Sequence, residues 1–304
     1  IGAVDNRVAL HSLADTNEYI RAWTIQLVAE DRRADGPLLS KLTTMAQKDR
    51  SAVVRLYLAS TMGQLGAENA WKTAEILSQR SEDADDRNLP SMIWYGMAPL
   101  VHDDIDRAFR LGDGAQLPVL PHYIRWYAAK AKGDSLNRIV QMIGNAEAGT
   151  RQDYLEETHL ALTGQYRVPM PDAWKTTAER LYQDENPRVR RLAESLGAMF
   201  GDESLYPRKR RVLVDSKASL EERRHAFRIL SQAADPKSIP LFMDLLEHNA
   251  FRSDAIRTLA GCDTPDVGKA LVKRFASFSE EDRTAALSTL ASRESWAHFL
   301  LDAI

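Results

Sequence analysis

Residues 48–66, KDRSAVVRLYLASTMGQLG, constrain this chain more than any other stretch because their pattern returns. A charged turn leads into a helix with apolar residues at Val54, Tyr57, Leu58, Met62 and Leu65, at helical spacing. DENPRVRRLAESLGAMFG, residues 184–201, repeats the design. TNEYIRAWTIQLVAE, residues 16–30, repeats it more loosely, with Ile20, Trp23, Thr24 and Leu27 sharing one face. Ala70-Trp71-Lys72-Thr73 recurs as Ala173-Trp174-Lys175-Thr176, 103 residues on, or three periods of about 34. The second-helix landmark returns from Ile20 to Val54 and from Arg190 to Arg223. Self-similarity at a fixed period of this length belongs to stacked supersecondary units, each packing on its neighbours.

The stretch 48–66 resembles the second helix of a HEAT repeat. Helical periodicity divides the chain into about nine hairpins: 4–13 with 18–28, 37–46 with 51–65, 69–79 with 89–101, 104–111 with 121–131 and 135–143 with 152–162. Then come 172–182 with 187–200, 206–214 with 219–232, 236–246 with 251–259 and 265–275 with 280–290. Residues 295–304 start a tenth, and a proline-bearing joint falls at 164–171. No segment sustains the period-2 alternation of a strand, so no sheet is expected. Tetratricopeptide units share the period, but their small and aromatic signature positions are unmet; HEAT units are usually longer, about 40 residues, so these would be of the short kind. The expected fold is all-α, a single right-handed superhelix of HEAT/armadillo type over residues 1–304. Ile1 is no methionine and residues 301–304 stop inside an apolar helical pattern, so both ends read as cut from a longer polypeptide.

Composition narrows the function classes. The formal net charge of −3 gives no overall pull toward nucleic acid or a membrane surface. A single cysteine, Cys262, leaves no internal disulfide and no CxxC or CxxCH motif, and it reads as a small packed residue at a helix end. No apolar run approaches the roughly 20 residues that span a bilayer. The seven histidines form no HxH, HExxH or adjacent His-Glu pair, and no GxSxG or phosphate-binding loop occurs. The acidic turn Glu82, Asp83, Asp85, Asp86 lacks the alternating Asp spacing and glycine of a calcium loop, and acidic residues favour turns and helix starts in any case. No catalytic residue, metal or cofactor is expected, and no enzyme.

The candidate sites are surfaces. Counted from the turn arginine, Trp23, Tyr57, Tyr95, Tyr127 and Tyr154 occupy one equivalent second-helix position, expected to pack the core between units. Trp94 and Trp126 sit one residue earlier, about 100° round the helix, where other units carry Ala22 and Leu56. There they either open onto a concave groove as partner anchors or are covered by a loop or an adjoining domain. Between residues 186 and 228, eleven Lys or Arg stand against six Asp or Glu, a local excess of five. Arg188, Arg191, Arg208, Lys209, Arg210 and Arg211 could form an anion or DNA strip, although Glu221-Glu222 beside Arg223-Arg224 fits a solvated, ion-paired face.

NLPSMIWYGMAPLV, residues 88–101, and IRAWTIQLVAED, residues 20–31, resemble the HEAT-repeat middle region of large multidomain proteins of planctomycetes and their relatives. In that family a dehydrogenase-like β-propeller precedes the repeats and a CxxCH haem domain follows. The likeness covers mainly the first 130 residues and transfers no catalytic or haem residue. It implies a non-catalytic solenoid that spaces and docks neighbouring domains of an exported, periplasmic-type redox protein. A free-standing adaptor binding a protein or peptide, and a DNA-binding solenoid using 186–228, are the other readings.

Overall fold

The computed structural model describes residues 5–30, 34, 36–130, 134–165 and 168–301. Element ends expected at Val4, Ala131, Tyr166 and Ile304 lie outside the described residues. Among the described residues every regular element is helical, and helices pack against their neighbours in sequence order, an all-α solenoid-like arrangement. The chain forms two compact units, one of residues up to Thr163 with Pro171–Thr177, the other of Gly164–Met170 and Ala178 onward.

The first unit contains α1 (Asn6–Ser12), α2 (Glu18–Glu30), α3 (Gly36–Lys48), α4 (Ala52–Thr61), α5 (Ala67–Leu77), α6 (Leu89–Val101), α7 (Ile105–Gly114), α8 (Val119–Lys130), α9 (Ser135–Asn145) and α10 (Ala148–Leu162). α11 (Asp172–Tyr182) begins in this unit and ends in the second. The second unit continues with α12 (Pro187–Phe200), α13 (Tyr206–Val214), α14 (Leu220–Gln232), α15 (Ile239–Asp244), α16 (Arg252–Leu259), α17 (Pro265–Arg274), α18 (Glu280–Ala291) and α19 (Glu294–Leu301).

Local chemistry sets the helix ends. Ser51 accepts from the Val54 amide at 3.3 Å to start α4, and Asn186 accepts from Arg188 at 2.9 Å, with Pro187 leading α12. Ser219 and Glu222 form a reciprocal capping box on α14. Gly201, at φ +73°, closes α12 in the left-handed conformation that glycine adopts without strain. Two expected helices prove shorter. The segment 51–65 ends its α-helix at Thr61 and tightens into a 3₁₀ turn, Met62–Gln64, and 236–246 keeps only α15 between two 3₁₀ turns.

In the first unit α2, α4, α6, α8 and α10 pack consecutively as one layer, while α3 and α5 pack behind. Buried residues such as Ala22, Ile25, Val54, Leu58, Ile93, Met97, Ile124 and Leu155 fill the space between them. Trp71 and Trp174, the recurring tryptophans, are both buried.

In several second helices an arginine near the start turns back to the preceding helix end or loop. Arg21 Nη1 donates to the carbonyls of Asp15 and Thr16 at 2.9 and 3.1 Å, and Arg190 Nη1 to those of Asp184 and Glu185 at 2.6 and 2.9 Å. Arg223 reaches Leu213, Arg252 reaches Leu246, and Arg283 reaches Ala276. Carbonyls at the end of a helix and in its following loop have no intrahelical partner, and the guanidinium supplies one. Arg21 also clamps the next unit, pairing with Asp49 through two 2.9 Å bonds, and Arg55, whose Nη1 donates to the Asp49 carbonyl at 3.0 Å, pairs with Asp83 through two of 2.5 Å. Arg55 and Asp83 are both buried, so the acidic turn weighed as a calcium loop spends its central carboxylate on an ion pair. In α10, Tyr154 is buried with its hydroxyl 3.2 Å from Asp113 and Arg125 over its ring at 4.3 Å. Burial, with Asp113 beside it, pushes the Tyr154 hydroxyl up to about 12.

Candidate functional site

The expected five-rung aromatic core ladder divides. Tyr154 is buried and Tyr57 and Tyr127 are half-buried, but Trp23 and Tyr95 are 58% and 64% exposed. Ile20 and Leu27, placed with Trp23 on the buried side of α2, are exposed as well, and only Thr24 of that set is buried. The actual buried face of α2 uses Ala22, Thr24, Ile25, Val28 and Ala29. Two alanines there let α4 approach closely, and the bulkier residues are turned outward. The helix carries apolar side chains around its circumference, so periodicity alone left its phase undetermined.

Trp94, offered as a groove anchor, is a core residue at 9% exposure: its ring lies 5.7 Å from Tyr123 and 5.4 Å, edge-on, from Tyr127 of α8. The close packing of α6 against α8 covers it. Trp126, one turn position on in α8, is 39% exposed, with Lys130 Nζ 4.3 Å from its ring centre. Leu56 is half-buried and lines a groove.

That groove is open-sided, about 470 Å³, and crosses three second helices. Trp23, Gln26 and Glu30 come from α2, Leu56, Tyr57 and Ser60 from α4, and Asn88 and Met92 from the start of α6. The Trp23 and Tyr57 rings stand 6.0 Å apart, tilted by 60°. Gln26 Nε2 donates to Glu30 Oε1 at 2.8 Å, which holds that carboxylate along the helix edge. Residue-level reasoning from sequence named Leu56 but missed Trp23, Gln26, Glu30 and Met92. The small pair Ala22 and Ala29, seven residues apart and thus on one face, was the available signal for the phase of α2.

Three of the six basic candidates of the second unit are held in ion pairs. Lys209 is buried against Glu194 at 2.5 Å, Arg210 bonds Asp235, and Arg191 meets Glu221 at 2.5 Å. Arg188, Arg208 and Arg211 are exposed. Glu194 also takes His225 Nε2 at 2.8 Å. Burial opposes ionisation of Glu194, but the His225 bond and the Lys209 charge outweigh it and hold the carboxyl below the usual range.

Two of the seven histidines, silent in sequence, find carboxylates distant in sequence: His225 with Glu194 and His122 with Glu157. Among the described residues no group of three or more His, Cys, Asp or Glu comes together to hold a metal ion. Cys262 is half-buried with its Sγ 3.7 Å from the Thr258 carbonyl, and burial raises its thiol. No helix among the described residues is long and apolar enough to cross a membrane. The sequence matches no model of a known protein family and no curated protein.

Proposed function

We propose that this chain is a non-catalytic docking scaffold whose first unit offers the face of α2, α4, α6 and α8 to a protein partner. The observation that carries this reading is the exposure of Trp23, which lines a groove of ligand-cleft size, together with the exposed ring of Tyr95 on α6. Tryptophan and tyrosine dominate the binding energy of protein interfaces when a partner covers them. Trp126 on α8 is exposed as well. The resemblance of residues 88–101 makes the partner a neighbouring domain of a larger redox protein. The helical layer would then fix the spacing of electron donor and acceptor. An open groove equally suits a free adaptor that takes a segment of another chain.

The test is direct. A displayed random-peptide library is panned on the purified protein, and selected peptides are titrated against wild type and the Trp23→Ala/Tyr95→Ala double variant. Both side chains are exposed, so the melting temperature should stay within about 2 °C, in keeping with the small effect of surface substitutions. Binding should weaken at least tenfold. Equal affinity for the two proteins, or no enrichment, would overturn the assignment of this face.

A further inference from the structure

We infer that the groove between α2 and α4 recognises a cationic side chain, lysine or arginine, of an extended peptide segment, seated between the Trp23 and Tyr57 rings and the Glu30 carboxylate. This rests on the docking reading above and names the chemistry of its occupant. Of the eight described lining residues Glu30 alone carries a charge; the others are aromatic, apolar or neutral amide and hydroxyl groups. An aromatic face draws a cation through its ring quadrupole, and the Trp23 and Tyr57 rings, 6.0 Å apart and tilted by 60°, both line this groove.

Glu30 supplies the counter-charge. Its Oε1 is already held by the Gln26 amide, which orients the carboxylate without neutralising it. A lysine or arginine whose stem lies along Leu56 and Met92 would place its head group at that carboxylate, covering apolar surface with methylenes and meeting charge with charge. Trp126 already displays the pairing within this protein, with the Lys130 ammonium 4.3 Å from its ring centre. Ser60 and Asn88 line the same groove and offer hydroxyl and amide groups to an extended backbone.

An anionic segment would meet Glu30 with like charge. A purely aliphatic segment would leave the carboxylate desolvated without a partner, which costs affinity. A second copy of this chain is the remaining occupant, and its signature is self-association.

The experiment uses the intact chain. Random peptides of about twelve residues are panned, and one enriched sequence is synthesised with its basic residue intact or replaced by norleucine or glutamine. Each is titrated against wild type, Glu30→Gln and Trp23→Ala at low and physiological salt. Enrichment of lysine or arginine, a loss of tenfold or more on Glu30→Gln, and near-equal loss on removing the peptide charge would support the inference. The two changes together should cost little more than either alone, because they remove the same contact. Selected peptides that lack basic residues, or that bind Glu30→Gln as well as wild type, would overturn the cation seat. If those peptides still lose affinity on Trp23→Ala, the docking face survives that failure; if they do not, both readings fall. Concentration-dependent dimerisation in sedimentation, abolished by Trp23→Ala, would give the groove to a second copy instead.

Discussion

Three polar side chains meet in the interior of the second unit: Glu194 on α12, Lys209 on α13 and His225 on α14. Lys209 and Glu194 expose only 7% and 6% of their side chains, so neither charge has water to fall back on. Removing one member of a buried pair leaves the other uncompensated, which typically costs about 3–5 kcal/mol. Glu194→Gln is therefore expected to lower stability by about 3 kcal/mol or more in urea unfolding monitored by circular dichroism. The pH dependence follows from linkage. Glu194 has a folded-state pKa below its unfolded value, so its contribution is complete above the unfolded value of about 4.3 and is lost as pH falls through the lower folded value. The stability gap between wild type and Glu194→Gln should shrink as pH falls from about 5 to below about 4. A gap independent of pH across that window would show that the carboxylate is not held ionised by its partners.

At the scale of helices, the approach of α6 to α4 depends on one missing side chain. A Cβ placed on Gly96 would lie 2.5 Å from Met62 Cε and 3.1 Å from the Ala59 carbonyl oxygen. The methionine can move, but the carbonyl belongs to the α4 backbone, so the helices would have to separate. Overpacking of this kind costs about 1–3 kcal/mol, against at most about 1 kcal/mol gained from alanine's better helix propensity. Gly96→Ala should lower the melting temperature, whereas Gly36→Ala, with nothing within 4 Å of its added carbon, should leave it unchanged or raise it. Equal effects would mean that the α4–α6 contact is not close-packed. Helix positions were legible because Ser51, Asn186 and Ser219 are capping residues and Pro187 and Pro265 suit first turns. Helix phase was legible only where polar residues mark one side, and α2 lacks that contrast. The aromatic groove was consequently hidden: Trp23 read as core but is exposed, while Trp94, left open between a groove anchor and a covered residue, is buried. The turn arginines were visible as landmarks, but their partners were not: the loop carbonyls lie 5 to 10 residues back and Asp49 and Asp83 lie 28 residues on, which spacing within one helix does not reveal.

For the whole chain, the division into two compact units has an energetic consequence. Each has its own buried large side chains: Trp71, Phe109 and Tyr154 in the first, Phe227, Phe242 and Trp296 in the second. Where elements touch chiefly their sequence neighbours, stability is a sum of local terms and damage stays local. The Arg55–Asp83 pair tests this, since its side chains are 3% and 2% exposed and it ties α4 to the turn before α6. Asp83→Asn keeps the shape and removes the charge, leaving the Arg55 guanidinium buried without its counter-ion. Native-state hydrogen exchange should then speed up by two to three orders of magnitude in α4, α5 and α6, the equivalent of about 3–4 kcal/mol, while amides of α14, α16 and α18 keep their protection. If protection instead fell evenly along the chain, the two units would form a single cooperative block, and a ligand seated on α2 and α4 would stabilise the second unit as strongly as the first.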